Sequence, residues 1–292
     1  MMIYDTFLFY NEFEALNIRL NELNDIVDKF VLVEATVTHT NKPKPLYFNE
    51  NKEKYKKFLN KIIYVKVDDS PNVSMPWIIE RHQLSAVMRG LKNCKPDDLI
   101  LYSCVDEIPK GEKVLYWMNK KGKNKVFMHS LSLYYLNFVE KTKEIEGTRM
   151  FYFKYLKDFG DIYFTRYLNP DVVINHGGWH FSYMGGIKRI QKKLNSYAHQ
   201  EYNNDKFNTP EKIRKSILQG RDPFGLGWRL KVVNLSTLPK YVIENKNKFI
   251  NLIFPEEEAK ARHLKLTILL LDALHYFRIL VFRTIKRNLT VN

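Results

Sequence analysis

The chain has 292 residues, of which 45% are hydrophobic and 14% aromatic, so it can form a sizeable core and global disorder is excluded. Its net charge of +15 should attract polyanions such as phosphate-rich substrates, anionic membranes or nucleic acid. A lysine-rich solvated surface is the alternative explanation of this charge. Two cysteines are too few for a disulfide scaffold or for a zinc site built from thiols alone.

Strand and helix signals alternate along the first third of the chain. Apolar, β-prone runs predict strands, and apolar residues at helical spacing predict the helices between them. The predicted strands are 3–10, 30–35, 61–67 and 99–103, and the predicted helices are 12–25, 52–59 and 77–91. This alternation predicts an α/β fold with a mostly parallel central sheet flanked by helices.

The middle of the chain is aromatic and strand-like and is followed by lysine-rich helices. Strand-like runs at 126–138, 151–156 and 161–168 should extend the sheet or cover the site, and helices are predicted at 187–194 and 210–219. No internal repeat or linker interrupts residues 1–255, which we therefore predict to be one domain.

Neither end of the chain contains a predicted transmembrane helix. Residues 1–10 lack a basic flank and contain Asp5, so they indicate a buried strand rather than a secretory signal. Residues 256–292 are predicted to form a separate basic amphipathic helical tail. Such a helix suits an anionic membrane surface, and packing on the core or in a dimer is the alternative.

Acidic residues follow two of the predicted strands, at Glu34 and at Asp106-Glu107 within Ser103–Pro109. Ligands of open α/β sheets bind beyond the carboxyl ends of the strands. Carboxylates at such a position suit hard cations such as Mg²⁺ and Mn²⁺. An acidic residue and a proline after a strand also fit a simple turn.

Two further clusters carry groups that could bind a sugar nucleotide. The segment Gly177–Gly186 contains Trp179, which can stack on a sugar, and His180, which can ligate a metal or contact a diphosphate. Turns and a structural histidine are the alternative interpretation. The segment Ser196–Glu201 offers Glu201 as a general base, although a solvated helix end explains it equally well.

Taken in order, segments over most of residues 2–254 resemble glycosyltransferase family 17. The matching segments are IYDTFLFYNEFEALNIRLNEL, FVLVEATVTHTNKPKPLYF, VDEIP, GGWHFSYMGG, KLNSYAHQEYN, ILQGRDPFG and LPKYVIENKNKF. The resemblance implies a GT-A-type fold and an inverting transfer of N-acetylglucosamine or a related hexose, assisted by Mn²⁺ or Mg²⁺. It also implies a UDP-sugar donor and a glycan or lipid-linked glycan acceptor as partners.

Two positions depart from the pattern of this family. The strand-end motif typically reads Ser-Asp-Val-Asp-Glu-Ile-Pro, and Cys104 stands here in place of the first aspartate. The helix at 77–91 carries Gln83-Leu84-Ser85 where the family tends to have Gln-Arg-Asn, so Arg81 or Arg89 would have to replace the missing arginine. Both departures affect the predicted metal and donor contacts.

The resemblance, with the clusters above, implies a role for each candidate residue. The predicted metal ligands are Asp106 and His180, and the predicted catalytic carboxylates are Glu107 and Glu201. The predicted donor-binding residues are Glu34, Lys44, Arg89, Cys104 and Trp179. The rival hypothesis, motivated by Cys104 and Leu84, is a non-catalytic protein that binds a nucleotide sugar or a glycan.

Nucleic acid is not an expected partner, because the lysines are spread along the chain and no nucleic-acid-binding module is recognisable. Eukaryotic members of the family lie behind an N-terminal membrane anchor, whereas this chain begins at its first predicted core strand. The expectation is a cytoplasmic enzyme that docks on the inner face of a membrane through residues 256–292.

Overall fold

The computed structural model of the chain describes residues 1–255, and the fold reported below is that of the compact unit Met1–Leu252. The predicted amphipathic tail at 256–292 lies outside the described residues. Among those that are described, no helix combines the length and the apolar character needed to cross a bilayer.

A mixed β-sheet forms the centre of this unit. Its strands in the described chain are β1 (Ile3–Leu8), β2 (Lys29–Ala35), β3 (Ile62–Val67), β4 (Leu99–Cys104), β5 (Glu107–Pro109), β6 (Lys125–Leu133), β7 (Phe138–Glu140), β8 (Ile145–Tyr152), β9 (Val172–Ser182) and β10 (Leu230–Val232).

Helices flank this sheet. The α-helices are α1 (Phe13–Leu23), α2 (Tyr47–Asn51), α3 (Pro76–Ser85), α4 (Gly111–Trp117), α5 (Leu156–Phe159), α6 (Ile187–Leu194), α7 (Pro210–Gln219) and α8 (Lys240–Glu244). The 3₁₀ helices are Lys52–Phe58, Ala86–Gly90, Phe153–Tyr155, Ile162–Arg166, Gln200–Tyr202, Leu235–Thr237 and Lys246–Leu252. Proline at the first position of α3 and α7 fits a helix start, where its fixed φ is suitable and its missing N–H is not needed.

The first four strands form the parallel half of the sheet, in the order β3-β2-β1-β4. β8 then pairs antiparallel with both β4 and β6, and β6 pairs parallel with β9. The short β5 follows β4 closely in the chain but pairs with β9. The chain after β4 therefore turns away from its own strand and is fixed against a segment much later in the sequence.

Two hydrophobic cores lie on opposite faces of the parallel half. Successive side chains of a strand point to opposite faces. Leu99 and Leu101 of β4 accordingly belong to one core, together with Leu16 and Leu20 of α1. Tyr102 of β4 belongs to the other core, which includes Leu84 of α3 and Val87 of the following 3₁₀ helix. Because both faces are buried, these strands are near-continuous apolar runs, the pattern from which they were predicted.

The α/β class with a central sheet and flanking helices is confirmed. The parallel pairing predicted for the first third of the chain is also observed, whereas the antiparallel strands that follow make the whole sheet mixed. The prediction of a strand at 161–168 is wrong, because its centre is the 3₁₀ helix Ile162–Arg166. This helix begins where the Asp161 carboxylate accepts a hydrogen bond from the backbone N–H of Tyr163.

Candidate active site

The turn between β4 and β5 joins the two acidic residues to the glycine-rich segment. β4 ends at Cys104 and β5 starts at Glu107, which leaves Asp106 in the turn. In the antiparallel β5–β9 pair, Glu107 lies opposite His180 and Pro109 lies opposite Gly178. Two clusters that the sequence separates by about a quarter of its length are therefore neighbours in one ladder.

A buried arginine of α1 fixes this turn from behind. Arg19 is fully buried and its guanidinium forms an ion pair with Asp5 of β1 at 2.6 Å. Its Nη1 donates to the carbonyl oxygens of Cys104 at 2.7 Å and Glu107 at 2.8 Å, and its Nη2 donates to Ser103 Oγ at 2.7 Å. The carbonyl groups of an irregular turn thus have charged partners, which holds the backbone in one conformation.

Gly178 lets β5 and β9 approach closely. A Cβ atom at this position would lie 2.2 Å from the carbonyl oxygen of Ile108 and 2.7 Å from Nε2 of His129. Glycine is therefore needed here for space, since its φ lies outside the left-handed region. Gly185 and Gly186, further along the same segment, do have positive φ values of 88° and 85°.

Asp106 lies between the side chains of Lys193 and His180. Its Oδ2 is 3.0 Å from Nζ of Lys193 on α6 and 3.7 Å from Nε2 of His180. Burial by itself raises the pKa of Asp106, but Lys193 and His180 outweigh it and hold the pKa well below its usual range. Burial likewise lowers the pKa of Lys193, and Asp106 outweighs this and raises it. The two groups therefore form an ion pair at neutral pH.

Glu107 has partners for both of its carboxylate oxygens. Arg166 donates to Oε1 at 3.0 Å and to Oε2 at 3.1 Å, and the backbone N–H of Cys104 donates to Oε2 at 2.8 Å. Burial raises the pKa of Glu107, but Arg166 outweighs it and the net pKa is lowered. A carboxylate with a lowered pKa and occupied oxygens is a weak base, so its predicted catalytic role fits this environment poorly.

Cys104 also lines the site and remains a thiol. Burial is the main cause of its pKa being raised far above the usual value, and the Glu107 carboxylate adds to the effect. Arg166 Nη1 lies 3.5 Å from its sulfur. A thiol is a softer ligand than the carboxylate it replaces, so it suits Mg²⁺ or Mn²⁺ less well than aspartate does.

These groups open onto a cavity of about 390 Å³, a size that accommodates a small-molecule ligand. Its wall includes Cys104, Asp106, Glu107, His180 and Lys44 among the residues singled out from the sequence. It is formed by the loops after β1, β2 and β4 together with the region of α6, so it lies beyond the carboxyl ends of the parallel strands. The position of the site in the sheet agrees with the sequence analysis.

Glu80 of α3 is a cavity carboxylate that the sequence analysis missed. Its side chain is 20% exposed, and Oε1 lies 3.8 Å from Nδ1 of His39. Burial raises the pKa of Glu80 above its usual value, and the positive charge of Arg166 only partly opposes this. A carboxylate of raised pKa, without a close ion-pair partner of fixed charge, is better suited to accept a proton than Glu107 is.

Aromatic rings form another part of the cavity wall. Tyr202 and Phe224 lie with their ring centroids 4.2 Å apart, and Tyr197 and His199 lie 5.5 Å apart. All four residues line the cavity. Flat aromatic surfaces of this kind can stack on a sugar ring or a nucleobase.

Two predicted donor-binding residues, Glu34 and Trp179, lie outside the cavity wall, so the structure does not bring them together with the other candidates. Glu34 is fully buried at the end of β2, where it accepts the backbone N–H groups of Phe48 and Asn49 in α2. Trp179 points to the face of β9 opposite His180, and its Nε1 donates to the carbonyl oxygen of Thr237. Both side chains are occupied by structural contacts.

Arg89 and Glu201 also lie outside the cavity wall. Arg89 binds Asp69 through both carboxylate oxygens, at 2.9 and 2.8 Å, in a separate surface groove. Glu201 is about half exposed and pairs with His199 at 2.6 Å. Neither position fits the predicted donor contact or the predicted catalytic base. Arg81, the other candidate to replace the missing arginine, pairs with Asp161 at 2.9 Å.

Lys193 and Arg166 were missed because their neighbourhoods carry no local signal of a site. Lys193 stands among surface lysines of an amphipathic helix, and only the buried Ile190 and Leu194 nearby indicate that this part of α6 packs inwards. Arg166 lies in the segment that was taken for a strand. The run of lysines in α6 does not distinguish Lys193 from its neighbours, and no signal in the sequence identifies Arg166.

The side chains around Asp106 do not make a fitting site for a divalent metal. Asp106 and His180 are two donors, but no group of three or more His, Cys, Asp or Glu side chains suited to a metal occurs in residues 1–255. The Lys193 ammonium lies 3.0 Å from the carboxylate oxygen that would have to face the ion. Waters and substrate phosphates can complete the coordination of Mg²⁺ or Mn²⁺, so the number of protein donors does not decide the fit. The neighbouring ammonium does, because it occupies the carboxylate oxygen and repels a second cation.

Comparison with known proteins agrees with the resemblance seen in the sequence. The model of glycosyltransferase family 17 matches residues 1–257. The human β-1,4-mannosyl-glycoprotein 4-β-N-acetylglucosaminyltransferase is 32% identical over 114 residues, which cover 36% of this chain and 21% of that protein. The rat enzyme of the same name gives the same identity and coverage. The matched region thus spans about a fifth of the length of these curated relatives.

Two solved structures share a more distant likeness. The 2-C-methyl-D-erythritol 4-phosphate cytidylyltransferase of Francisella tularensis has a TM-score of 0.35 at 11% identity, covering 60% of this chain and 90% of that chain. A mannosyltransferase from Pyrobaculum calidifontis, in complex with GDP-Man and Mn²⁺, has a TM-score of 0.38 at 10% identity, covering 60% and 56%.

Proposed function

Because the chain belongs to glycosyltransferase family 17, we propose that its cavity is the place where a sugar passes from a nucleotide diphosphate to a glycan acceptor. The relatives transfer N-acetylglucosamine according to their names, so UDP-N-acetylglucosamine or a related UDP-hexose is the proposed donor. A glycan, free or linked to a lipid, is the proposed acceptor.

The observation that carries this proposal is the position of Asp106 between Lys193 and His180 in the cavity wall. When the bond to the sugar breaks, negative charge develops on the leaving diphosphate. Cationic side chains fixed before the reaction stabilise that charge without having to reorganise. Asp106 keeps Lys193 charged and in place, which is the role we give it.

We propose an inverting transfer, in which the acceptor hydroxyl attacks the anomeric carbon directly, opposite the leaving diphosphate. The hydroxyl must lose a proton as it attacks, so a base is needed on the acceptor side. Glu80 is our candidate for this base, because it lines the cavity and its pKa is raised by burial. The aromatic wall at Tyr202 and Phe224 would bind the acceptor sugar by stacking.

The divalent ion implied by the family, Mn²⁺ or Mg²⁺, would have Asp106 and His180 as its protein ligands. Since the Lys193 ammonium lies against the Asp106 oxygen that would face this ion, the proposed reaction uses the protein's own cations. The proposed docking on an anionic membrane depends on residues 256–292, which lie outside the described part of the chain.

A donor assay tests the proposal. Wild-type protein incubated with UDP-sugars and a panel of glycan acceptors should release UDP, and the Asp106→Asn variant should lower the rate by about 100-fold or more. Glu112→Gln is the control and should retain the wild-type rate, because Glu112 is an exposed carboxylate of α4 outside the cavity wall.

The alternative is a non-catalytic protein that binds a nucleotide sugar, which the cysteine in place of the family's first aspartate favours. Calorimetric binding of UDP-sugars without UDP release from any donor–acceptor pair would establish this alternative. An unchanged rate in Asp106→Asn would instead contradict the role of Asp106 in the reaction.

A further inference from the structure

We propose that two lysines of this chain, Lys193 and Lys44, bind the diphosphate of the donor directly and take the place of a divalent ion. This inference rests on the proposed function, since it concerns how the same cavity binds a nucleoside diphosphate. It follows from the contacts of the two ammonium groups and from the ligands that the cavity offers to a metal.

Lys193 is fixed in the cavity wall with donor capacity remaining. Its ammonium carries three N–H groups. It donates to Asp106 Oδ2 at 3.0 Å and to Ser182 Oγ at 3.4 Å, and these contacts use two of the three. The side chain is 25% exposed, so a ligand can reach it. A phosphate oxygen in the cavity can accept the third hydrogen bond while the contact with Asp106 is kept.

Lys44 is a buried cation without a hydrogen-bond acceptor. Its Nζ is inaccessible to solvent and has no hydrogen-bond partner among the described residues, although the side chain lines the same cavity. The rings of Tyr10 and Tyr47 lie 5.4 and 5.6 Å from it, which partly stabilises the charge. An ammonium removed from water needs acceptors, and the flexible side chain would have to rotate Nζ toward the cavity to reach one. An anionic ligand there would supply what the protein does not.

The other charged residues of the cavity show that it does not have a strongly positive potential. A diphosphate must therefore be bound by direct hydrogen bonds from individual cationic side chains. The cavity wall carries the four carboxylates Glu12, Glu80, Asp106 and Glu107 against the three cations Lys44, Arg166 and Lys193, so its cations are not in excess. Arg166 is already occupied by both oxygens of Glu107. Lys193 and Lys44 are therefore the cations best able to make new hydrogen bonds to a ligand.

A divalent ion at Asp106 would have to compete with Lys193 for the same carboxylate. The two sites exclude each other, because an ammonium and a metal ion at hydrogen-bonding distance from one oxygen repel. If a metal ion binds the diphosphate, Mn²⁺ should strengthen nucleotide binding, whereas binding by the two lysines should not depend on Mn²⁺. This difference can be measured without an acceptor and without turnover.

The test is calorimetric titration of the full chain with UDP, and in parallel with GDP, in the presence of EDTA or of Mn²⁺. The wild type should bind one of these nucleotides in EDTA, and Mn²⁺ should change its affinity by less than about threefold. Lys193→Met and Lys44→Met should each weaken binding in EDTA by about tenfold or more, and Lys193→Arg should restore most of the loss.

Lys188→Met is the matched control, because Lys188 is an exposed lysine of the same helix outside the cavity wall, and it should leave the affinity unchanged. Thermal melting of each variant checks that it is folded. If Mn²⁺ raises the nucleotide affinity of the wild type tenfold or more, or if both methionine variants keep the wild-type affinity, the inference about the lysines is wrong. Either result leaves the proposed function standing. Failure of both nucleotides to bind under every condition contradicts the proposed UDP-sugar donor as well.

Discussion

Arg166 binds both carboxylate oxygens of Glu107, with Nη2 3.0 Å from Oε1 and Nη1 3.1 Å from Oε2. The pair connects the 3₁₀ helix Ile162–Arg166 to the turn that carries Asp106. The Glu107 side chain is 4% exposed and that of Arg166 is 23% exposed. Removing one partner of so buried a pair leaves the other charge without compensation.

Substitution of Arg166 should therefore destabilise the protein. We expect Arg166→Met to lower the free energy of unfolding by roughly 3 kcal/mol at neutral pH, because Glu107 is left buried and ionised. The pair stabilises the fold above the ordinary pKa of a glutamate, and this contribution is lost as the pH falls through the lowered pKa of folded Glu107. Urea unfolding at pH 7 measures the loss.

The double variant Arg166→Met/Glu107→Gln separates this cause from a simple loss of packing. Since glutamine is uncharged, it should recover part of the stability lost in Arg166→Met. Equal stability of wild type and Arg166→Met would show that the pair contributes nothing.

The pH profile of the transfer should report Glu80. A base must be unprotonated to act, so the rate should rise with pH through the pKa of Glu80, which burial raises above the usual value of a glutamate. Glu80→Gln should lower kcat by about 100-fold or more and remove this acidic limb. The measurement is kcat/KM against pH for the wild type and for Glu80→Gln, together with kcat for both proteins at one pH.

Glu112→Gln, which changes an exposed carboxylate of α4, should reproduce the wild-type pH profile. An acidic limb that persists in Glu80→Gln would assign the base to another residue.

An added methyl group at Gly178 should disturb the β5–β9 pair. The new Cβ would lie 2.2 Å from the Ile108 carbonyl oxygen, and backbone must move to relieve this contact. We expect Gly178→Ala to cost about 1–3 kcal/mol of stability and to reduce transfer, because Glu107 and His180 face each other in the same pair. Thermal or urea unfolding and the UDP-release assay measure the two effects.

Gly111→Ala is the control for this substitution. Its Cβ would meet the flexible end of Ile26 at 3.3 Å, at the start of α4, so we expect a change within about 1 kcal/mol. If both variants are equally stable, the close approach at Gly178 does not limit the strand pair.

The sequence predicts those parts of the site that depend on local patterns. Apolar runs identify β1 to β4, and the rule that parallel strands end at one edge places Asp106 correctly. The same rule fails for Glu34, because it cannot tell that α2 covers the end of β2 and uses the carboxylate for its N–H groups. An acidic residue at the end of a strand can thus either line a ligand site or make a structural contact, and the sequence pattern is the same in both cases.

The residues that contact Asp106, which are His180 and Lys193, come from distant parts of the chain. Tertiary packing determines where their side chains lie. Trp179 and His180 are neighbours in β9, so their side chains lie on opposite faces, and only His180 faces the cavity. The sequence analysis did not predict a strand at these glycines and therefore could not apply this alternation. Lys193 differs from the other lysines of α6 only in the direction of its side chain, which the packing of the helix turns toward the cavity. Such information is absent from any short segment of sequence.

The buried contact of Arg19 with the turn after β4 has a consequence for the biosynthesis of the protein. Its guanidinium binds the backbone of Cys104 and Glu107 from a helix that is synthesised well before His180 and Lys193. The cavity wall therefore cannot be completed until β9 and α6 have been synthesised and have packed against the earlier strands. The proposed transfer would accordingly become possible only when this unit has folded.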